Sequence, residues 1–343
     1  MNIPFYLFFF LFGTLFWSFA SVIIYRFKSW EKWILTGRSH CADCNKILSS
    51  IELIPIVSWV INKWKCRTCK KQVSKLYPLL ELSMWLLFAL IWYFLIDIEL
   101  IINGSLQEII KLIFWLVIAF ITIVYIYYDI LFLEIHEWIL LFWVCFILLF
   151  LVGQTLFPSF YIIETLPIGI SSVSVWITSI IVSLAIIWWL YTIMLRELHE
   201  IVDTLILIWI IASLFIFQYF SPILLSEIPI INWVIWALWI FIFFFIQIVL
   251  SGWKWMGWWD LRIALMVWLI LWISLWFPGI MLTYFVWSII WIAYILTSKA
   301  KHWWKSKFNS QVPFGPFLAI WFFTSVFYQN EILNFIEVYI WNM

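Results

Sequence analysis

The chain has 343 residues, of which 67% are apolar and 11% charged, with a mean hydropathy of +1.09. That balance excludes a soluble globular domain and a disordered one alike, and apolar runs long enough to cross a bilayer recur along its whole length. The formal charge of +1 conceals an asymmetry: 11 of the 19 Lys and Arg lie between Arg26 and Lys75, against three acids there, Glu31, Asp43 and Glu52.

The first apolar stretch, Phe5 to Ile24, has no basic residue before it and the basic cluster behind it. It reads as a retained span, residues 1–25, with its N-terminus outside, not as a cleaved signal peptide. Residues 26–78 then form a basic loop that the charge rule places in the cytoplasm, beside anionic headgroups. From 79 to 343 the apolar runs predict spans near 79–96, 112–128, 138–156, 173–195, 204–221, 231–250, 261–277, 280–297 and 314–332. The expected fold is therefore an all-α polytopic membrane protein of about ten transmembrane helices (8–10). Parity puts 129–137, 196–203, 251–260 and 298–312 in the cytoplasm, and the last carries Lys299, Lys301, Lys305 and Lys307, as the charge rule wants.

Four of the five cysteines form Cys41-x2-Cys44-x21-Cys66-x2-Cys69 inside the basic loop. Each Cys-x2-Cys pair can place two thiolates on one ion, and two pairs complete a tetrahedral sulfur site, which predicts structural zinc. The other reading is a set of reduced or redox-active thiols; a reducing cytoplasm argues against disulfides. Cys145 lies within a predicted span and reads as a packing residue.

Two aspartates stand where apolar segments meet polar ones: Asp129 in Tyr127-Tyr128-Asp129-Ile130-Leu131 and Asp260 in Gly257-Trp258-Trp259-Asp260-Leu261. Carboxylates at such edges are costly to place and point to chemistry. Both fall on the cytoplasmic side by parity, where two acids sharing a site would make an acid/base pair.

These residues carry a resemblance. The run Ser18-Phe19-Ala20-Ser21-Val22-Ile23-Ile24-Tyr25-Arg26, then Arg38-Ser39-His40-Cys41, Ile54-Pro55-Ile56-Val57-Ser58-Trp59, Cys66-Arg67-Thr68-Cys69 and Tyr77-Pro78-Leu79-Leu80-Glu81-Leu82, resembles the N-terminal half of bacterial type IV prepilin peptidases in order and spacing. Asp129 followed by Ile135-His136-Glu137 resembles that family's Asp-x5-Leu/Ile-Pro-Asp segment. Gly257-x-x-Asp260-Leu261 resembles its GxGD motif, and Pro313-Phe314-Gly315-Pro316 its late Phe-Gly-Pro turn. Roughly 157–245 lies outside the resemblance and leaves room for extra helices.

The resemblance implies an aspartic endopeptidase of the bacterial inner membrane, working at the cytoplasmic face. It implies removal of the basic leader from type IV prepilins or secretion pseudopilins, with Asp129 and Asp260 as the catalytic acids. Family members with the four-cysteine loop commonly also methylate the new N-terminus with S-adenosylmethionine. Partners on this reading are prepilin precursors and membrane lipid, not nucleic acid.

The chain departs from the pattern in places. His136 stands where the family has Pro, Ser21 where Asn is common, and the stretch between the two acids is longer by about two spans. Glu137 matches a family acid outside the catalytic pair and reads as a solvated edge charge. His40, beside Cys41, is a fifth metal candidate that reads as loop surface, and Arg196-Glu197-Leu198-His199-Glu200 reads as an ordinary turn. Two functions of other classes keep the same residues: a non-catalytic pilin-assembly protein, and a transporter using Asp129 and Asp260 as ion sites.

Thirty tryptophans stand against nine glycines, where an average chain of this length would hold about 24 Gly. The excess falls at positions where the family pattern asks for glycine: Trp17, Trp64, Trp85 and Trp259, the last in the second glycine place of GxGD. Trp268, Trp272 and Trp276 recur at the spacing of small residues in packed membrane helices. We expect many of these codons to be UGA, read as glycine in the source organism; the other reading is a genuinely Trp-rich interfacial protein, although aromatic belts favour span ends and many of these residues fall mid-span. Trp59, in a Ser-Trp pair the family shares, is expected to be authentic.

Overall fold

The structure is a computed structural model that describes residues 13, 16, 19–20, 22–26, 28, 39–41, 43–54, 56–132, 136–157, 162, 173–195, 219, 243–244, 246–247, 250, 270–271, 283–289, 315–336 and 338. Among these it is helical, with no strand; two isolated antiparallel bridges, His40 with Ile47 and Lys65 with Gln72, are the extended contacts. The chain divides into two compact units, Met1–His136 and Glu137–Met343.

In the first unit, helical residues between 13 and 28 precede the cysteine loop, which holds a 3-10 turn (Ser50–Leu53) and a short helix α1 (Val57–Ile61). Helix α2 (Leu76–Leu95) follows, with Pro78 in its first turn, where a missing N–H costs nothing. Asp97 then caps the short helix α3 (Ile98–Ile102), accepting the N–H groups of Glu99 and Leu100 at 2.9 and 3.3 Å. Gly104, at φ +79°, makes the turn into α4 (Leu106–Phe132).

Helix α4 is 27 residues long, which at 1.5 Å per residue gives about 40 Å, more than the hydrocarbon thickness requires. Its buried face runs Phe114, Ile118, Ile121, Tyr125 and Tyr128, alternating steps of four and three, and packs against Leu80, Met84, Leu87 and Ile91 of α2. Tyr127 Oη and Ser83 Oγ, 3.3 Å apart, link the two helices near one end. At the other end Glu108 is buried, 3.9 Å from Lys111, and accepts the Asp97 N–H.

The N-terminal helical residues join this pair through aromatic rings. Phe16 lies 5.9 Å from Phe120, Phe19 stacks on Phe120, and Tyr25 stacks on Tyr77 at 5.9 Å. At Gly13 a β-carbon would sit 3.3 Å from Trp85 Cα, so the two backbones approach closely there.

In the second unit α5 (Glu137–Leu156) packs on α6 (Val173–Leu195). Trp143, Ile147 and Leu151 are buried on one helix, and Val175, Ser179 and Val182 on the other. The Phe322 ring of α7 (Gly315–Phe327) lies 6.5 Å from Trp143, and α8 (Gln329–Ile336) follows. Among the described residues three helices are long and apolar enough to cross a membrane, with spans Tyr77–Leu95, Leu106–Phe132 and Trp138–Leu156. The predicted spans 204–221, 231–250, 261–277 and 280–297 lie wholly or mostly outside the described residues.

Candidate functional site

The cysteine loop is built from two copies of one local device. In the first, the Cys41 N–H donates to Lys46 O and the Asn45 N–H to Cys41 O; in the second, the Cys66 N–H donates to Lys71 O and the Lys70 N–H to Cys66 O. Each turn is closed by a residue in the left-handed region, Asn45 at φ +54° and Lys70 at φ +59°. The Cys-x2-Cys spacing thus folds both thiols of a pair to the same side of a tight turn.

The two turns face each other. Cys41 Sγ lies 3.9 Å from Cys69 Sγ, Cys44 Sγ lies 4.0 Å from Cys66 Sγ, and all four sulfurs fall within 4.8 Å of one another. Disulfides need about 2.05 Å, so these are free thiols. A zinc ion with bonds of about 2.3 Å sets sulfurs about 3.8 Å apart at the edges of a tetrahedron. The observed set fits that size closely, and among the described residues the metal-binding group is these four cysteines, without His40.

The electrostatics favour a cation. The backbone N–H groups of Cys69 and Thr68 hold the Cys66 thiol down at about 6. Cys69 accepts the Lys71 N–H, which lowers it, but burial and the neighbouring Cys66, Cys44 and Cys41 sulfurs outweigh this and push it up to about 11. Without a cation between them, four adjacent sulfurs cannot all be thiolates.

Polar contacts brace the loop. Lys71 pairs with Asp43 at 2.5 Å across the two turns. Glu52 accepts both Ser49 N–H and Ser49 Oγ–H at 2.9 Å and pairs with Lys46 at 3.3 Å. The Ser49 backbone N–H, with the Ser49 hydroxyl and Lys46, keeps Glu52 below the usual carboxylate range. Trp59 Nε1 donates to Val73 O at 3.3 Å, and the Trp59 ring lies 5.4 Å from Trp64. Glu81 of α2 accepts the Ile56 N–H, fastening the loop to that helix.

Asp129 lies in the last turn of α4 and is 4% exposed. It sits four residues after Tyr125 on the buried face, so the helix period turns the carboxylate inward rather than toward solvent. Around that helix end, Tyr128 meets Phe132 at 4.8 Å and His136 at 6.1 Å, and Lys28 Nζ stands 5.0 Å above the Phe132 ring. This aromatic enclosure escaped the sequence reading, although Tyr125, Tyr127, Tyr128 and Phe132 cluster visibly around the acid. Asp260, with Trp259 beside it, lies outside the described residues, as do Trp17, Trp268 and the 196–200 cluster. Glu137 begins α5, and Cys145 is half-buried within that helix.

The described residues define a helical membrane protein with a four-thiol metal site at the foot of α2 and a buried carboxylate at the end of α4. Comparison with known proteins takes this further: residues 11–95 match the model of the Bacterial Peptidase A24 N-terminal domain. Over 84 residues, 24% of this chain and 25% of the relative, it is 38% identical to the prepilin leader peptidase/N-methyltransferase of Myxococcus xanthus. Over 56 residues, 16% of this chain and 23% of the relative, it is 43% identical to the protein of that name in Bacillus subtilis. It is also 41% identical over 58 residues to the type 4 prepilin-like proteins leader peptide-processing enzyme of Escherichia coli, covering 16% of this chain and 22% of that one. The matches thus span a quarter or less of the length of these three relatives. Together they relate residues 11–95 to the N-terminal domain of prepilin leader peptidase/N-methyltransferases. No solved structure matches the chain.

Proposed function

We propose that this chain is a membrane aspartic endopeptidase that removes the leader peptide from type IV prepilins or pseudopilins at the cytoplasmic face of the bacterial inner membrane. The observation that carries the proposal is the junction of the matched N-terminal region with α4. The domain's last helix, α2, packs along α4, whose buried face delivers Asp129 to its final turn.

Asp129 and Asp260 are the catalytic pair on this reading, holding one proton between them. The ionised carboxylate takes a proton from water as the water oxygen bonds to the scissile carbonyl carbon, and the other acid protonates the carbonyl oxygen. The tetrahedral intermediate then collapses: the C–N bond breaks, the leaving amine accepts the proton held by the pair, and a hydroxyl of the intermediate gives its proton to the pair as the new carboxyl group forms. The four cysteines hold structural zinc, which supplies loop rigidity and no chemistry of the cut. The relatives' names join an N-methyltransferase to the peptidase; methyl transfer from S-adenosylmethionine to the new N-terminus is a second step that hydrolysis does not require.

The test uses membranes carrying the chain, assayed both as written and with Trp259→Gly, against a pilin precursor. Leader removal should be lost by about 10²-fold or more in each of Asp129→Asn and Asp260→Asn. Cleavage that survives either substitution overturns the proposal. Binding without cleavage in every form would point to an assembly protein, and proton-coupled flux to a transporter.

A further inference from the structure

Helix α1 has two unlike faces. Ser58 and Trp59 turn inward, the Trp59 ring lying near Trp64 and its Nε1 bonded to Val73 O. Val57, Val60 and Ile61, at i, i+3 and i+4, turn outward and are 48%, 57% and 61% exposed. Ile54 just before them is exposed as well. A five-residue helix that presents only branched apolar side chains outward is poorly suited to water.

What it lies beside sets its surroundings. The Ile56 N–H, at the start of α1, donates to Glu81 of α2. Glu81 is five residues beyond Leu76, so the attachment is about 7–8 Å up a helix that goes on to cross the bilayer. That sets α1 beside the opening turns of a helix long and apolar enough to cross a membrane, and amphipathic helices rest at such edges of the bilayer. The same helix shows its own outward stripe, Leu79, Leu82 and Leu86, each 45% exposed or more. The segment after α1 is basic and exposed at Lys63, Lys65, Arg67 and Lys70, the charge that complements an anionic leaflet.

We propose that the outward face of α1, formed by Val57, Val60 and Ile61 with Ile54, is seated in the bilayer interface, so that the four-cysteine loop lies on the membrane surface rather than standing in the cytoplasm. The lipid is the occupant; a pilin helix or another part of this chain is the competing outcome. The proposal needs neither proteolysis nor glycine at position 64.

The test reconstitutes the unsubstituted full chain in nanodiscs of zwitterionic and anionic lipid doped with a phospholipid carrying a diazirine near its headgroup. After irradiation, lipid adducts are mapped by peptide mass spectrometry. The yield on 57–61 should come within about 3-fold of that on the Leu79–Leu86 stripe. Adducts on the stripe with none on 57–61 overturn the proposal. A fluorescent amino acid introduced at Val60, and separately at Ile61, gives a second readout. Quenching by shallow nitroxide lipids over aqueous iodide supports the lipid seat. Quenching by iodide alone, or protection from both quenchers as when protein covers the face, refutes it.

Discussion

At Trp64 the backbone holds φ at +52°, directly after Lys63 at +49°. A β-carbon in that region costs about 1–2 kcal/mol, and a bulky indole has no local hydrogen bond to offset it. A glycine at position 64 would adopt this conformation without that cost. Trp64→Gly should slow hydrogen exchange at Val73, whose N–H donates to Trp64 O at 2.8 Å, by about 3- to 10-fold, the Trp59 contact being the smaller loss. Faster exchange would mark the indole as the native side chain. The cysteines make a second prediction at this scale. The Cys66 thiol is held at about 6 against an ordinary 9.0, so its folded state favours the thiolate. That contribution is fully present above pH 9, shrinks as pH falls from there toward 6, and is gone below about 6. Zinc binding also releases protons, so the dependence has the same sign. Bound zinc should be retained at pH 8 and released as pH falls below about 6, measured with a colorimetric chelator.

Among the elements, α2 bears two loads: it is the first long helix after the loop, and its Glu81 accepts the Ile56 N–H. Ile56 itself sits at φ +57°, which a β-branched residue avoids unless something holds it there. Glu81→Ala should release that hold, raising exchange and proteolysis within 54–64 severalfold while leaving four-cysteine zinc stoichiometry unchanged. Unchanged protection would show the hydrogen bond to be incidental. Helix limits show what a sequence discloses. Runs of uniform apolarity gave 79–96, 138–156 and 173–195, and the helices cover Leu76–Leu95, Glu137–Leu156 and Val173–Leu195. The span near 112–128 lies wholly within α4, which extends beyond it at both ends. In the structure Glu108 and Lys111 are paired and enclosed, so α4 begins at Leu106. The thiol site was legible because ligand spacing is local, each Cys-x2-Cys pair folding within one turn. The near-complete burial of Asp129 was not, since helical period tells which side a residue takes and not how fully that side is covered.

For the molecule as a whole, the decisive issue is sidedness. Parity of the predicted spans places 129 and 260 together in the cytoplasm, and the proteolytic reading needs that. Single engineered cysteines near 254 and 134, in a chain whose other cysteines are blocked or replaced, should react with an impermeant maleimide only from the cytoplasmic side of inverted vesicles. Opposite labelling of the two would exclude a shared carboxylate pair. The paired turns of the thiol site also bear on how such a chain is made. All four sulfurs have been synthesised by residue 69, and Asp129 follows 60 residues later (129 − 69). At about 5–20 residues per second, that interval is about 3–12 s. A metal ion captured in those seconds would latch the chain segment between its first and second apolar stretches before the later helices emerge from the ribosome. Zinc starvation would then damage insertion of newly made chains far more than it damages those already in the membrane.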